Sequence, residues 1–255
     1  MVLASVNNSL RVLEYLVEHG EAGITEMGRA LDLSPGTVYR LVSTLMHSDF
    51  ASQNPKNRQY RPGSKVLQLA NTMRGRVEFL DLAHGHLERL QERTHETVNL
   101  GVLRGDAVVY VDRVLSSQPL SVEVRIGSRV PGFCTALGKA LLAFGDSTTR
   151  DRYTERLPHL GTDLHQPPAR QRFLRDLKEV EALGYAEDLG EFSADIMCVA
   201  APVINSRGVA VAAVSISSPA SRFGPRRETL IPMVEIAGKE LTLLLAELGE
   251  DDPRL

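Results

Sequence analysis

The spacing of apolar and polar positions divides the chain into a helical first third and a mixed remainder. Residues 7–19 put Leu10, Leu13, Leu16 and Val17 on one face at 3.6-residue spacing, with caps at Asn7 to Ser9 and a stop at Gly20. A second helix is expected after Gly23, with Thr25 as N-cap and Met27, Ala30 and Leu31 apolar. Asp32-Leu33-Ser34 breaks the pattern. Ser34 then caps a third helix, Pro35 fits its first turn, and Val38, Leu41, Val42 and Leu45 carry it to about Ser48. Two short helices across such a turn are a helix-turn-helix candidate. Phe50–Gln53, the turn Asn54–Asn57 and Arg58–Gly63 predict a hairpin, placed where the wing of a winged helix would be. Lys65–Arg76 continues as helix.

Phe79–Glu96 reads as one further helix with a stripe of Leu80, Ala83, Leu87 and Leu90, a linker that can also serve as a dimer surface. The pattern then shortens to strand length. Val98–Leu103 and Ala107–Val114 flank the turn Arg104-Gly105-Asp106, and Leu120–Val124 is a third candidate strand. After a loop at 127–132, Thr135 caps a helix over Ala136–Phe144. Helices follow at Thr149–Arg156 and Gln171–Leu183, on either side of a proline-rich loop at His165–Pro168. Met197–Ile204 and Val209–Ser217 form a second hairpin, and Arg226–Leu248 closes the chain as a long amphipathic helix. The fold class is α+β in two domains: a winged helix-turn-helix over 1–76, a linker helix over 77–96, and an antiparallel sheet with flanking helices over 97–255.

Charge sharpens the division. The net charge is −3, yet residues 1–76 carry nine Lys/Arg against six Asp/Glu and the remainder carries 20 against 26. No acid lies between Asp49 and Glu78, where Lys56, Arg58, Arg61, Lys65, Arg74 and Arg76 fall. Such a run can neutralise several phosphates, although a solvated surface has the same composition. No window approaches the roughly 18 apolar residues of a membrane span, and the N-terminus lacks signal-peptide character. Two cysteines, Cys134 and Cys198, suit free thiols in a reducing cytoplasm. No cofactor is expected.

With both halves laid out, the chain resembles the IclR family of bacterial transcription regulators from end to end. Ile24-Thr25-Glu26-Met27 with Leu33-Ser34-Pro35-Gly36-Thr37-Val38-Tyr39-Arg40-Leu41 is similar to that family's DNA reader, and Tyr60-Arg61-Pro62-Gly63 to its wing exit. In the second half the resemblance rests on Arg125-Ile126-Gly127, Pro131 and Thr135–Ala143, then on Gly190-Glu191, Cys198–Val203, Ala213–Ser217 and Pro219. The resemblance implies a GAF-like effector domain, homodimers commonly paired into tetramers, and control of a nearby catabolic operon, on the side of repression.

In a helix-turn-helix the start of the second helix faces base edges. Ser34, Pro35, Gly36, Thr37, Tyr39 and Arg40, with Ser43 one turn later, are therefore the candidate readers of a pseudo-palindromic duplex. Arg40 suits a bidentate pair with guanine, or else a phosphate clamp or internal salt bridge. Lys56, Arg58 and Arg61 on the wing suit backbone or minor groove.

For a small organic acid, the helix beginning at Thr135 offers backbone N–H groups and a positive dipole end. Ser215 and Ser217 alternate to one side of a strand, Cys198 lies on the preceding strand, and Asp188 can accept from a ligand hydroxyl or amine. The resemblance implies that positions matching Ala136, Leu137, Asp188, Cys198, Ser215 and Ser217 line the effector pocket of relatives that bind small carboxylates. Leu137 departs from the small residues of the tightest pockets, with Phe133 and Met197 nearby, which leaves the pocket's size open. Ser215 and Ser217 can also be ordinary strand serines, and Cys198 a small buried hydrophobe. Three other classes compete with this one, and the first, a ligand-binding module whose helix-turn-helix serves protein contacts, is disfavoured by the run of six basic residues without an acid. A thiol hydrolase would need Cys198 on an exposed turn, and it reads as mid-strand. A metal-responsive regulator would need His84, His86 and His95 on one face, which helical spacing does not favour, or Cys134, Cys198 and Asp188 brought together by tertiary structure.

Overall fold

Breaks at two left-handed residues cut the first 47 residues into three helices. These are α1 (Ala4–His19), α2 (Ile24–Leu31) and α3 (Pro35–His47), parted at Gly20 (φ 78°) and Asp32 (φ 56°). The computed structural model describes residues 3–74, 78–118, 125–162 and 165–249. By contacts the chain forms two compact units, Met1–Arg76 and Val77–Leu255. In the first, Val12 and Leu16 of α1, Met27 of α2 and Val38, Val42 and Leu45 of α3 share one core. Thr25 is not the N-cap of α2. The helix opens at Ile24, and the Gly23 N–H donates to the Glu26 carboxylate at 3.3 Å. Leu10 and Val17 remain exposed on α1, although they repeat with Leu13 and Leu16.

A hairpin of β1 (Ala51–Gln53) and β2 (Tyr60–Pro62) follows. Tyr60 and Ala22 exchange both backbone hydrogen bonds at 2.8 Å, which ties the hairpin to the loop before α2. Gly63 is required here, because a Cβ would lie 2.0 Å from the Asp49 carbonyl oxygen. Helix α4 (Ser64–Arg74) ends the described part of this unit; Arg76, expected in that helix, lies outside the described residues.

The second unit begins with α5 (Glu78–Thr94) and is built on strands β3 (Thr97–Arg104), β4 (Ala107–Val114), β5 (Arg129–Pro131), β6 (Ala186–Leu189), β7 (Ile196–Ile204) and β8 (Ala210–Pro219). They form one antiparallel sheet in the order β5-β4-β3-β8-β7-β6. Between the strands come α6 (Ala136–Ala143), α7 (Ser147–Arg156) and α8 (Arg170–Leu183), and α9 (Ala220–Glu247) closes the chain. Alternation along the strands sorts side chains between two layers. Val98, Leu100, Val199, Ala201, Val214 and Ile216 pack with Phe79, Ala83, Leu87 and Leu90 of α5 and the buried face of α9. Helix α5 is thus part of this layer and not a bare connection. On the other face Val108, Tyr110, Ala200 and Ala213 pack with α6, α7 and α8.

Several elements depart from expectation. Strand β5 occupies part of the expected loop at 127–132. Strand β6 falls where no strand is expected, and α9 begins at Ala220, before Arg226. The candidate strand Leu120–Val124 lies outside the described residues. A bulge opposite Leu100 and Gly101 pairs them with Asp112 and Tyr110, so Val111 is the extra residue. It sends Asp112 to the α5 side, where its carboxylate meets His84 Nδ1 at 2.8 Å. Among the described residues no helix is long and apolar enough to cross a membrane.

Candidate functional site

In the first unit the start of α3 is shaped by its cap. The Ser34 hydroxyl accepts the Thr37 N–H at 3.2 Å and sits 2.9 Å from the Thr37 hydroxyl, with Pro35 in the first turn. This fixes the helix end while leaving Pro35, Gly36, Tyr39, Arg40 and Ser43 exposed and Thr37 half-buried. The Ser43 hydroxyl donates to the Tyr39 carbonyl at 2.7 Å. Among the described residues no carboxylate pairs with Arg40. On the hairpin Lys56, Arg58 and Arg61 are exposed, and Arg61 Nε donates to Ser52 Oγ at 3.2 Å. One acid does reach this region in space. The Glu21 carboxylate accepts from Asn54 (2.8 Å) and Asn57 (3.0 Å), which holds its pKa below the usual carboxylate range.

In the second unit, Thr135 starts α6. Its hydroxyl accepts the Gly138 N–H at 3.2 Å and donates to the Pro131 carbonyl at 3.1 Å, so this side chain is spent on structure. By helix geometry the N–H groups of Ala136 and Leu137 have no acceptor within α6. Gly138 lets this first turn lie against the preceding turn, since a Cβ there would sit 2.1 Å from the Gly132 carbonyl oxygen. Phe133 and Cys134 of that turn are buried in the same layer.

Facing α6, the sheet carries a polar patch within an apolar layer. Pairing places Asp188 opposite Cys198 and Cys198 opposite Ser217, while Ser215 lies opposite Asn99. The Cys198 thiol donates to Ser217 Oγ at 3.2 Å. The Asn99 amide N–H donates to Ser217 Oγ at 3.1 Å and more distantly to Ser215 Oγ at 3.5 Å. Asp188 is buried, and one of its carboxylate oxygens accepts three backbone N–H groups, from Gly190 (3.1 Å), Glu191 (2.7 Å) and Phe192 (3.3 Å). Burial outweighs those bonds and pushes its pKa up to about 6. Burial also pushes the thiols of Cys198 and Cys134 up to about 12, and the Tyr110 hydroxyl well above its usual range. A thiol so protonated is a poor nucleophile at neutral pH. Lys139 of α6 is buried as well, donating to the Glu187 carbonyl at 3.0 Å and pairing with Glu191.

The family model described as "IclR helix-turn-helix domain" matches residues 5–55, and that described as "Bacterial transcriptional regulator IclR C-terminal" matches residues 72–242. The chain belongs to the IclR family of bacterial transcription regulators. The HTH-type transcriptional regulator KdgR of Escherichia coli (strain K12) is 30% identical over 251 residues, 98% of this chain and 94% of that protein. The Transcriptional repressor IclR of the same organism is 27% identical over 246 residues, 94% of this chain and 89% of that protein. The crystal structure of the Thermotoga maritima IclR superposes with a TM-score of 0.75 at 27% identity, over 93% of this chain and 98% of that one. An IclR homolog from Microbacterium hydrocarbonoxydans, crystallised with 4-hydroxybenzoate, shares the fold at a TM-score of 0.77 and 24% identity, covering 96% of this chain and 100% of that one. The protein is therefore a transcription regulator with a DNA-binding helix-turn-helix and a second, α+β domain.

Within that family frame, Ser215, Ser217, Cys198 and Asp188 gather on the α6 side of the sheet, and Ala136, Leu137 and Phe133 are buried in the same layer. Met197 does not join them. One residue from Cys198 along β7, it takes the opposite face and packs on the α5–α9 layer. Asn99, Tyr110 and Lys139 join the patch without any signal in the sequence pattern. Asn99 sits inside an apolar run, and only its pairing with Ser215 marks it out. Among the described residues no three His, Cys, Asp or Glu side chains gather to hold a metal. His84 and His86 turn to separate carboxylates, Asp112 and Glu240.

Proposed function

We propose that this regulator binds a pseudo-palindromic operator as a homodimer or dimer of dimers, represses a catabolic operon, and responds to a small organic acid held between α6 and the sheet. The observation that carries the effector reading is the polar patch of buried Ser215, Ser217, Asp188 and Asn99 with partly buried Cys198, in a largely apolar layer beside a helix start. The N–H groups of Ala136 and Leu137 and the α6 dipole suit the carboxylate, and the serine hydroxyls suit the rest of a polar ligand. For DNA, the exposed start of α3 provides Ser34, Pro35, Gly36, Thr37, Tyr39, Arg40 and Ser43 for the major groove, and Lys56, Arg58 and Arg61 suit phosphates. A homodimer is supported by α1, where Val6, Leu10 and Val17 stay exposed at the 4-3-4 spacing of a helix seam that includes half-buried Leu13. The names of two relatives, the E. coli repressor and the Acetate operon repressor of Salmonella typhimurium, favour repression.

The test is selection of duplexes from a random pool, followed by binding titrations. A palindrome should emerge with half-sites one helical turn or a multiple apart, and Arg40→Ala should lose sequence preference while keeping its fold. An acid that changes operator affinity should have no effect on the Ser215→Ala, Ser217→Ala double variant. Coupling of this kind is typically about 1–3 kcal/mol, or about 5- to 150-fold in affinity. Selection without an enriched site would refute the DNA reading, and an unaltered acid response in the double variant would refute the pocket.

A further inference from the structure

Asn99 holds one polar atom that the fold does not use. The residue is fully buried at the middle of the sheet, on the face toward α6, and its N–H groups go to the serines of β8. Its amide oxygen has no hydrogen-bond partner among the described residues. Folded proteins seldom leave a buried carbonyl oxygen unpaired, because such an atom has lost water and gained nothing. Beyond Thr97, whose hydroxyl accepts the Ser116 N–H, the other buried positions of β3 are Val98, Leu100, Gly101 and Val102, so an amide oxygen left unpaired here is costly for the empty protein.

The position suits a ligand. Leu137 of α6 stands over β3, its Cδ1 3.1 Å from where a Cβ on Gly101 would lie. Asn99 is two residues further along the same face, about 7 Å away. A molecule with its carboxylate at the start of α6 therefore extends a few atoms before reaching Asn99. There it meets the Asn99 oxygen; the Asp188 carboxylate, whose three backbone bonds all fall on one oxygen, is a second acceptor on the same face, three strands across the sheet on β6.

We propose that Asn99 reads the effector, its amide oxygen accepting a hydrogen bond from a hydroxyl on the bound acid, so that the effector is a hydroxy acid and not a keto or unsubstituted one. This rests on the effector reading of the same patch. A keto oxygen at this place would face the Asn99 oxygen, and a methylene would leave it unpaired. Turning the amide over would reverse the choice, presenting N–H to the ligand and favouring the keto acid.

Binding is measured by calorimetry on the full chain with three matched sets: lactate, pyruvate and propionate; 3-hydroxybutyrate, acetoacetate and butyrate; 3-hydroxybenzoate, 3-formylbenzoate and benzoate. In any set that binds, the hydroxy member should be tighter than both others by about tenfold or more, and Asn99→Ala should shrink that gap to about threefold or less. Equal or tighter binding of a keto, formyl or unsubstituted member overturns the proposal, as does a gap that survives Asn99→Ala. The ranking on the unaltered protein decides the matter even where the variant does not fold. Binding without hydroxyl preference leaves the carboxylate reading standing. A panel with no binding overturns that reading and this inference with it.

Discussion

Asp188 makes the charge state of the patch measurable through stability. Its carboxyl titrates near 6 in the folded chain against an ordinary value of 3.8, because burial beside the Glu191 charge outweighs three N–H bonds and the nearby Lys139. An acid whose pKa is raised on folding binds more protons folded than unfolded between those two values. Its favourable contribution is complete below about pH 4, is lost as pH rises through about 6, and is absent by pH 7.5. With these two pKa values the linkage relation makes that contribution about 1.4 kcal/mol larger at pH 5 than at pH 7.5.

The perturbation is Asp188→Asn, which keeps an oxygen for the backbone N–H groups and cannot titrate. Urea unfolding followed by far-ultraviolet circular dichroism, at steps from pH 5 to 7.5, measures both proteins; the chain has no Trp to follow. Every other carboxylate titrates in both proteins, so the difference between the two curves isolates Asp188. The unaltered chain should gain about 1.4 kcal/mol on the variant as pH falls from 7.5 to 5. Parallel curves would refute the raised pKa, because a carboxyl that is unshifted or lowered by its hydrogen bonds is already ionised in both states across this range.

Three further substitutions test the frame around the sites. Gly138→Ala puts a methyl group 2.1 Å from the Gly132 carbonyl oxygen, and the second unit should lose about 1–3 kcal/mol or more in denaturant unfolding. Ser34→Ala removes the cap of α3 and should cost about 1 kcal/mol, read as a lower unfolding midpoint of the first unit, with the second unit unchanged. Glu96, 1% exposed, takes two hydrogen bonds from Arg222 at 2.7 and 2.8 Å and a longer one from Arg226. Glu96→Ala should destabilise the second unit by about 3 kcal/mol, the low end for a broken buried pair because both arginines are partly exposed. A loss no larger than that of an average surface substitution would show that water already screens this pair.

What the sequence revealed and what it withheld follow from the range of the interactions involved. The start of α3 is legible because Ser34, Pro35 and the apolar spacing after them act within one turn, and the start of α6 at Thr135 is equally local. The hairpins are legible from their turns. Strand β6 is not, because Glu187 and Asp188 make it look like loop, and its strand character comes from pairing with β7. Parity accounts for the site residues. Side chains alternate along a strand, so nearness to Cys198 in sequence points Met197 to the pocket while the pleat sends it to the other layer. For the same reason Asn99 is hidden among Val98, Leu100 and Val102, since only the register against β8 reveals that it shares a face with Ser215 and Ser217. The β4 bulge compounds the difficulty, because it moves Asp112 to the α5 side while Tyr110 stays with the patch. Local rules therefore reach α3, while the proposed effector face is composed by register between distant strands. On the proposed reading, a change of effector can be encoded at single positions such as Asn99 that leave the hydrophobic pattern, and so the fold, as it was.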